Sequence, residues 1–122
     1  MIKLRKEIKS SLQTICDRVY YQNATKKEFP FIVYDFPNSF MDGGVEVFNL
    51  DVDVWDNKND TTEIETLASK IWKLYNCYYH IDKFIQFRIY RDNRLPPLDE
   101  KEKNIKRRKL VFQLRYLNRE DY

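Results

Sequence analysis

Residues Val45–Asp56 read VEVFNLDVDVWD, a run in which apolar and polar side chains alternate. Phe48, Leu50, Val52 and Val54 fall on one side of an extended chain, with Asn49, Asp51 and Asp53 on the other. Successive side chains of a strand point to opposite faces, so the stretch specifies a half-buried strand with one carboxylate-bearing face. Asp60-Thr61-Thr62-Glu63 comes directly after and reads as a helix start, because Asp60 can cap and Glu63 stands three residues on. Ile64, Leu67, Ala68, Ile71, Leu74, Tyr75 and Tyr78 then recur at helical spacing as a buried stripe. Strand, short turn and packed helix in direct succession mark a compact α+β domain.

Toward the N-terminus, Phe31–Phe36 is a short strand, apolar on both faces and preceded by the break Glu28-Phe29-Pro30. Gly43-Gly44 permits the positive φ that a hairpin needs, so this strand and the alternating one should pair antiparallel. Before them, Ile2–Tyr21 places Leu4, Ile8, Leu12, Ile15, Cys16 and Val19 at the spacing of an amphipathic helix. Toward the C-terminus, Phe84–Arg91 and Lys109–Leu117 alternate as two further strands. The predicted order is α-β-β-α-β-β: one domain over residues 1–122, with a mostly antiparallel four-stranded sheet and two helices packed on one face. The long connection at about 92–108 holds Leu95-Pro96-Pro97-Leu98 and the charged run Asp99–Lys103, and it reads as a protruding charged hairpin arm.

Composition narrows the function. The formal charge is +3, from 22 basic and 19 acidic residues, which is not the single-sign field of a dedicated duplex-DNA binder. With only 2 glycines in the chain, a Gly-rich phosphate loop is excluded. Cys16 and Cys77, both expected in helices and without metal-like spacing, read as small buried hydrophobes in a reducing compartment. No apolar run approaches the roughly 20 residues of a membrane span, and no signal-peptide core opens the chain. A cytosolic protein, or one built into a larger particle, is expected.

No G-x-S-x-G elbow, Walker loop, dinucleotide fingerprint or H-E-x-x-H motif occurs, and no cofactor is expected. His80 is the single histidine, and without a Cys or Asp partner at defined spacing it is weak evidence for catalysis. Asp51 and Asp53 share a face and so could hold Mg²⁺. The alternatives are a solvated face, or one salt-bridged to Arg88 and Arg115 on neighbouring strands. Glu46 alternates to the other face and no lysine stands beyond at a nuclease-like spacing, so no metal ligand is assigned. The cluster Lys106-Arg107-Arg108-Lys109 could contact phosphate, which makes a small nucleic-acid-binding module the rival reading, although Asp99, Glu100 and Glu102 offset its field.

Several motifs, taken in order, resemble a family. Phe29-Pro30-Phe31-Ile32-Val33-Tyr34-Asp35-Phe36 leads into Pro37-Asn38-Ser39-Phe40. Then come Glu46-Val47-Phe48-x-Leu50-Asp51-Val52-Asp53-x-Trp55-Asp56 and Asp60-Thr61-Thr62-x-x-Glu65-x-Leu67. Arg91-Asp92-Asn93-Arg94-Leu95-Pro96 and Ile105-Lys106-Arg107-Arg108-Lys109 close the series. From about Val19 to Leu117 the chain resembles the small tail-completion, or tail-terminator, proteins of long-tailed bacteriophages and prophages of Gram-positive bacteria. The resemblance implies a non-enzymatic virion-tail subunit, assembled in the host cytoplasm, whose ring (typically a hexamer) caps the tail tube and joins the capsid connector. Expected partners are copies of itself, the tail tube protein and the head-completion protein, with DNA passing through unbound and no membrane involved. A closed ring needs two different patches per subunit. Asp51, Asp53, Arg88, Arg94, Lys106, Arg107, Arg108, Lys109 and Arg115 are the candidates for subunit contacts or the lumen.

Overall fold

The computed structural model of the chain describes residues 1–26, 28–100 (the backbone alone for 98–100) and 104–119. In chain order the elements are α1 (Ile2–Gln13), β1 (Val19–Tyr21), β2 (Phe31–Asp35), β3 (Ser39–Asp42) and β4 (Val45–Asp56). They continue as α2 (Thr62–Leu74), β5 (Tyr78–Ile81), β6 (Ile85–Arg94), β7 (Leu98–Glu100) and β8 (Ile105–Asn118).

The four-stranded, mostly antiparallel sheet is overturned: eight strands form one mixed sheet, with path order β1-β2-β4-β8-β6-β5. The four expected strands are its centre, and β2 does pair antiparallel with β4. On one edge β1 joins β2 in parallel, and on the other β5 joins β6 antiparallel. β3 pairs with β4 at Val45–Phe48, the end that β2 leaves open, so β2 and β3 share a lane interrupted at Pro37. β7 likewise pairs with β8 at Ile105–Arg107, in the lane of β6, after the interruption at Pro96-Pro97. Proline has no N–H to give a ladder, so each break falls where the chain cannot donate.

Three local causes explain the extra strands β1, β3 and β5. The helix expected to reach Tyr21 stops at Gln13, where the N–H groups of Thr14 and Ile15 turn back to carbonyls three residues earlier and the Thr14 hydroxyl takes the Ser11 carbonyl at 2.6 Å. β-branched and aromatic Val19-Tyr20-Tyr21 then suits a strand, and Val19 stays buried in either geometry, so the apolar stripe did not distinguish them. Gly43 and Gly44 both have positive φ, +57° and +84°, and close a two-residue turn joining β3, not β2, to β4. Cys77 reverses the chain after α2 with φ +59°, so Tyr78 belongs to β5. Cys77 is exposed, against expectation, while Cys16 is buried in the loop after α1.

Both helices cover one sheet face. Leu4, Ile8 and Leu12 of α1 and Ile64, Leu67 and Ile71 of α2 share a cluster with Leu50, Val52 and Val54 of β4 and Leu110, Phe112 and Leu114 of β8. The helices are tied by polar contact as well. Ser11 donates to the Ile8 carbonyl at 2.8 Å, and Tyr75, fully buried after α2, meets Ser11 Oγ at 2.6 Å. Burial pushes the Tyr75 phenol well above its ordinary pKa. Of the expected arm, β6 runs to Arg94 and β8 starts at Ile105, while its charged tip at 101–103 lies outside the described residues.

Candidate functional site

The face that the helices leave uncovered carries most of the candidate residues. β4 and β8 pair along eleven residues in antiparallel register, with Asp51 opposite Val111, Asp53 opposite Lys109 and Trp55 opposite Arg107. Each cation reaches the carboxylate two residues along the ladder, on the same face: Lys109 Nζ lies 3.2 Å from Asp51 Oδ2, and Arg107 Nε donates to Asp53 Oδ1 at 3.1 Å. Diagonal neighbours on an antiparallel sheet are within reach of long side chains. The Arg107 guanidinium also sits 4.9 Å from the Trp55 ring centre. The two aspartates are therefore ion-paired within the subunit, by Lys109 and Arg107 and not by Arg88 or Arg115.

Arg115 pairs instead with Asp42 of the β3–β4 hairpin at 2.9 Å. Arg88 lies over Tyr79 at 4.7 Å. Arg94 is placed elsewhere: the register shift at Asp92 turns it from the open face, and it stacks 4.7 Å from Trp72 of α2, with Arg91 5.0 Å from the same ring. A β-bulge inserts one residue and so reverses the facing of the residues beyond it. Strand alternation also divides the basic cluster. Arg107 and Lys109 face outward, while Lys106 and Arg108 face the helices, where Arg108 pairs with Glu65. The four residues form no single cationic patch, and three of them are matched by carboxylates of the same chain.

Two apolar features stand at opposite ends of this face. Near the ends of β2 and β4 lies an open pocket of about 280 Å³, lined by Asn23, Ala24, Phe29, Phe31, Val33, Trp55 and Ile105, with Asp53 and Arg107 beside them. Phe31 stacks on Trp55 at 6.1 Å and 15°, and Phe29 lies 5.3 Å from Phe31. The Phe29–Pro30 peptide bond at its edge is cis. At the other end, the β3–β4 hairpin exposes Phe40 (47%), opposite Val47 on this face, and Met41 (65%), which as the next strand residue points to the other side. Nothing in the alternation pattern marked these, because β3 is exposed along its whole length.

His80 has partners that the sequence did not reveal. Its Nε2 is 2.8 Å from Asp82 Oδ2 and its Nδ1 is 3.6 Å from Glu7 Oε2, with the ring stacked on Phe87. Asp82 is held low, to about 2, first by the His80 hydrogen bond and then by the N–H groups of Ile85 and Phe84. The three side chains offer ligand atoms within 4.8 Å of one another and could hold a metal ion. Carboxylates, however, engage both ring nitrogens, so the imidazole bridges α1 to the β5–β6 turn. Glu7 is distant in sequence, so no local spacing could signal it. Among the described residues no helix is long and apolar enough to cross a membrane.

No protein-family model matches the chain, and no curated protein matches it. Among solved structures, its fold is similar to a chain in the virion of a native gene transfer agent particle. The TM-score is 0.64 at 10% identity, covering 86% of this chain and 83% of that one.

Proposed function

We propose that this protein is a structural subunit of a phage-type particle, and specifically a tail-terminator or head–tail joining protein that acts by self-assembly. The observation that carries the reading is the shared fold, over most of both chains, with a component of a gene transfer agent virion. The motif order from Val19 to Leu117 supports the narrower assignment to the tail terminators of phages and prophages of Gram-positive hosts. In this role the chain is non-enzymatic and forms a ring, a hexamer, that caps the tail tube and presents a surface to the head-completion protein. It assembles in the host cytoplasm, ends in the virion tail and lets DNA pass without gripping it. The outward face suits that use, since the charges of Asp51 and Asp53 are matched by Lys109 and Arg107. The nucleic-acid-binding reading is less favoured, because strand alternation splits Lys106–Lys109 between two faces.

Native mass spectrometry of the purified 15.0 kDa chain across a concentration series tests the assignment. A discrete hexamer is expected. A chain that stays monomeric alone and is also absent from purified particles would refute it.

A further inference from the structure

We propose that the groove over β5, β6 and β8 on the open face receives a glutamate or aspartate side chain of a partner protein, with Arg88 as the anchor. On the assembly reading above, that partner is a neighbouring protein of the particle. The groove encloses about 380 Å³, and Val45, Tyr79, Gln86, Arg88, Tyr90 and Arg115 are among the residues that line it. Arg88 and Arg115 stand directly opposite each other in the β6–β8 ladder. Like charges so placed destabilise a sheet, and an anion between them would relieve the repulsion. Only one carboxylate serves the two guanidiniums: Asp42 Oδ2 accepts from Arg115 Nη1 at 2.9 Å. Arg88 lies 4.7 Å from the Tyr79 ring centre, and no carboxylate of the described residues pairs with it. No acidic residue lines the groove. The Tyr79 hydroxyl accepts from Gln86 Nε2 at 3.0 Å, which leaves its own proton to donate. Unused donors thus converge on the groove, and a guanidinium fork matches the two oxygens of a carboxylate.

The surroundings favour a protein segment over a nucleic acid. A phosphate backbone is held by a run of cations. Here Arg107 and Lys109, further along the same face, are already matched by Asp53 and Asp51. Apolar groups, by contrast, are plentiful. Of the seven large apolar side chains exposed among the described residues, Phe40, Tyr79, Ile81 and Tyr90 stand on the open face, opposite Val47, Arg88, Gln86 and Gln113. An acidic side chain flanked by apolar neighbours meets both features. Tyrosine and arginine are also the residue types in which the binding energy of protein interfaces concentrates.

Nuclear magnetic resonance titration of the full, isotope-labelled chain with two capped pentapeptides tests this. One peptide carries a glutamate flanked by leucine and phenylalanine; in the other, glutamine replaces the glutamate. The glutamate peptide should shift the amide signals of Tyr79, Arg88, Tyr90 and Arg115. It should bind at least tenfold more tightly than its glutamine counterpart, which cannot form a charge-assisted pair. Arg88→Gln should abolish that preference with an unchanged circular dichroism spectrum, and Arg88→Lys should keep only part of it. Equal binding of the two peptides, shifts confined to another face, or no binding at millimolar peptide overturns the site. Tighter, Arg88-dependent binding of a thymidine oligonucleotide also overturns it, by assigning the groove to phosphate. A hexamer in the native mass spectrum beside a silent titration removes the groove and leaves the assembly role standing. Glutamate-selective binding by a chain that stays monomeric and is absent from particles keeps the groove and removes the role.

Discussion

The Ser11–Tyr75 contact predicts an asymmetry that a double-mutant cycle can measure. The Ser11 proton is directed to the Ile8 carbonyl at 2.8 Å, so the phenol is the donor in the 2.6 Å contact between the two hydroxyls. Tyr75→Phe deletes that donor, and Ser11 keeps its bond to Ile8. The loss is one hydrogen bond, about 0.5–1.5 kcal/mol. Ser11→Ala is worse, because it strands a fully buried phenol whose remaining acceptor, the Ile8 carbonyl, is 3.5 Å away. A buried polar group left without its partner costs about 1–3 kcal/mol. The double variant leaves neither hydroxyl behind, so its cost should fall short of the sum by about 0.5 kcal/mol or more. Urea unfolding followed by tryptophan fluorescence reads all three. At a slope near 2 kcal/mol/M, a 2 kcal/mol loss moves the midpoint by about 1 M. Additive single effects, or a Tyr75→Phe cost exceeding that of Ser11→Ala, would refute the reasoning.

Asp82 should give an acid limb to stability. Its folded pKa of about 2 lies below the ordinary carboxylate value of about 3.9, so its contribution is complete above pH 4 and is lost as pH falls toward 2. Asp82→Asn should flatten the urea midpoint over that window, and an unchanged slope there would count against the His80 contact. Gly44→Ala should destabilise by about 1 kcal/mol through backbone strain alone, because φ is +84° and a Cβ there meets nothing within 4 Å. Gly44→Asn should cost less, and thermal melts compare the two. Asp51→Lys alone should destabilise by about 1 kcal/mol, by setting like charges side by side on the sheet. Adding Lys109→Asp should recover most of the loss, and failure to recover in urea unfolding would mean that the pair contributes nothing.

The central half of the fold was legible because its signals are local. The alternation of Val45–Asp56 specifies the facing of every residue it covers, and the spacing from Ile64 to Ile71 specifies a helix stripe, whatever the rest of the chain does. The odd-numbered carboxylates Asp51 and Asp53 could therefore be placed on the open face from sequence, and they lie there. The edges were not legible. Val19–Tyr21 satisfies a helical stripe and a strand equally, and the parallel ladder to β2 decides the matter. β3 buries none of its residues, so it has no pattern to read, and it exists because β4 extends past β2 and offers unpaired backbone groups.

The site depended still more on three dimensions. Periodicity puts Asp51, Asp53, Arg107 and Lys109 on one face, but which cation serves which carboxylate is set by register, and register is a relation between strands 54 residues apart. The single-residue bulge at Asp92 moves Arg94 from the open face to Trp72. His80 gains Glu7 only once α1 packs beside β5. The alternation and helical spacing inside each central element were determined by the sequence alone, because side-chain direction is set by local backbone geometry. The edge strands, the ion-pair assignments and the opposition of hairpin and pocket were decided by the tertiary structure, because each depends on which distant segments the sheet brings side by side.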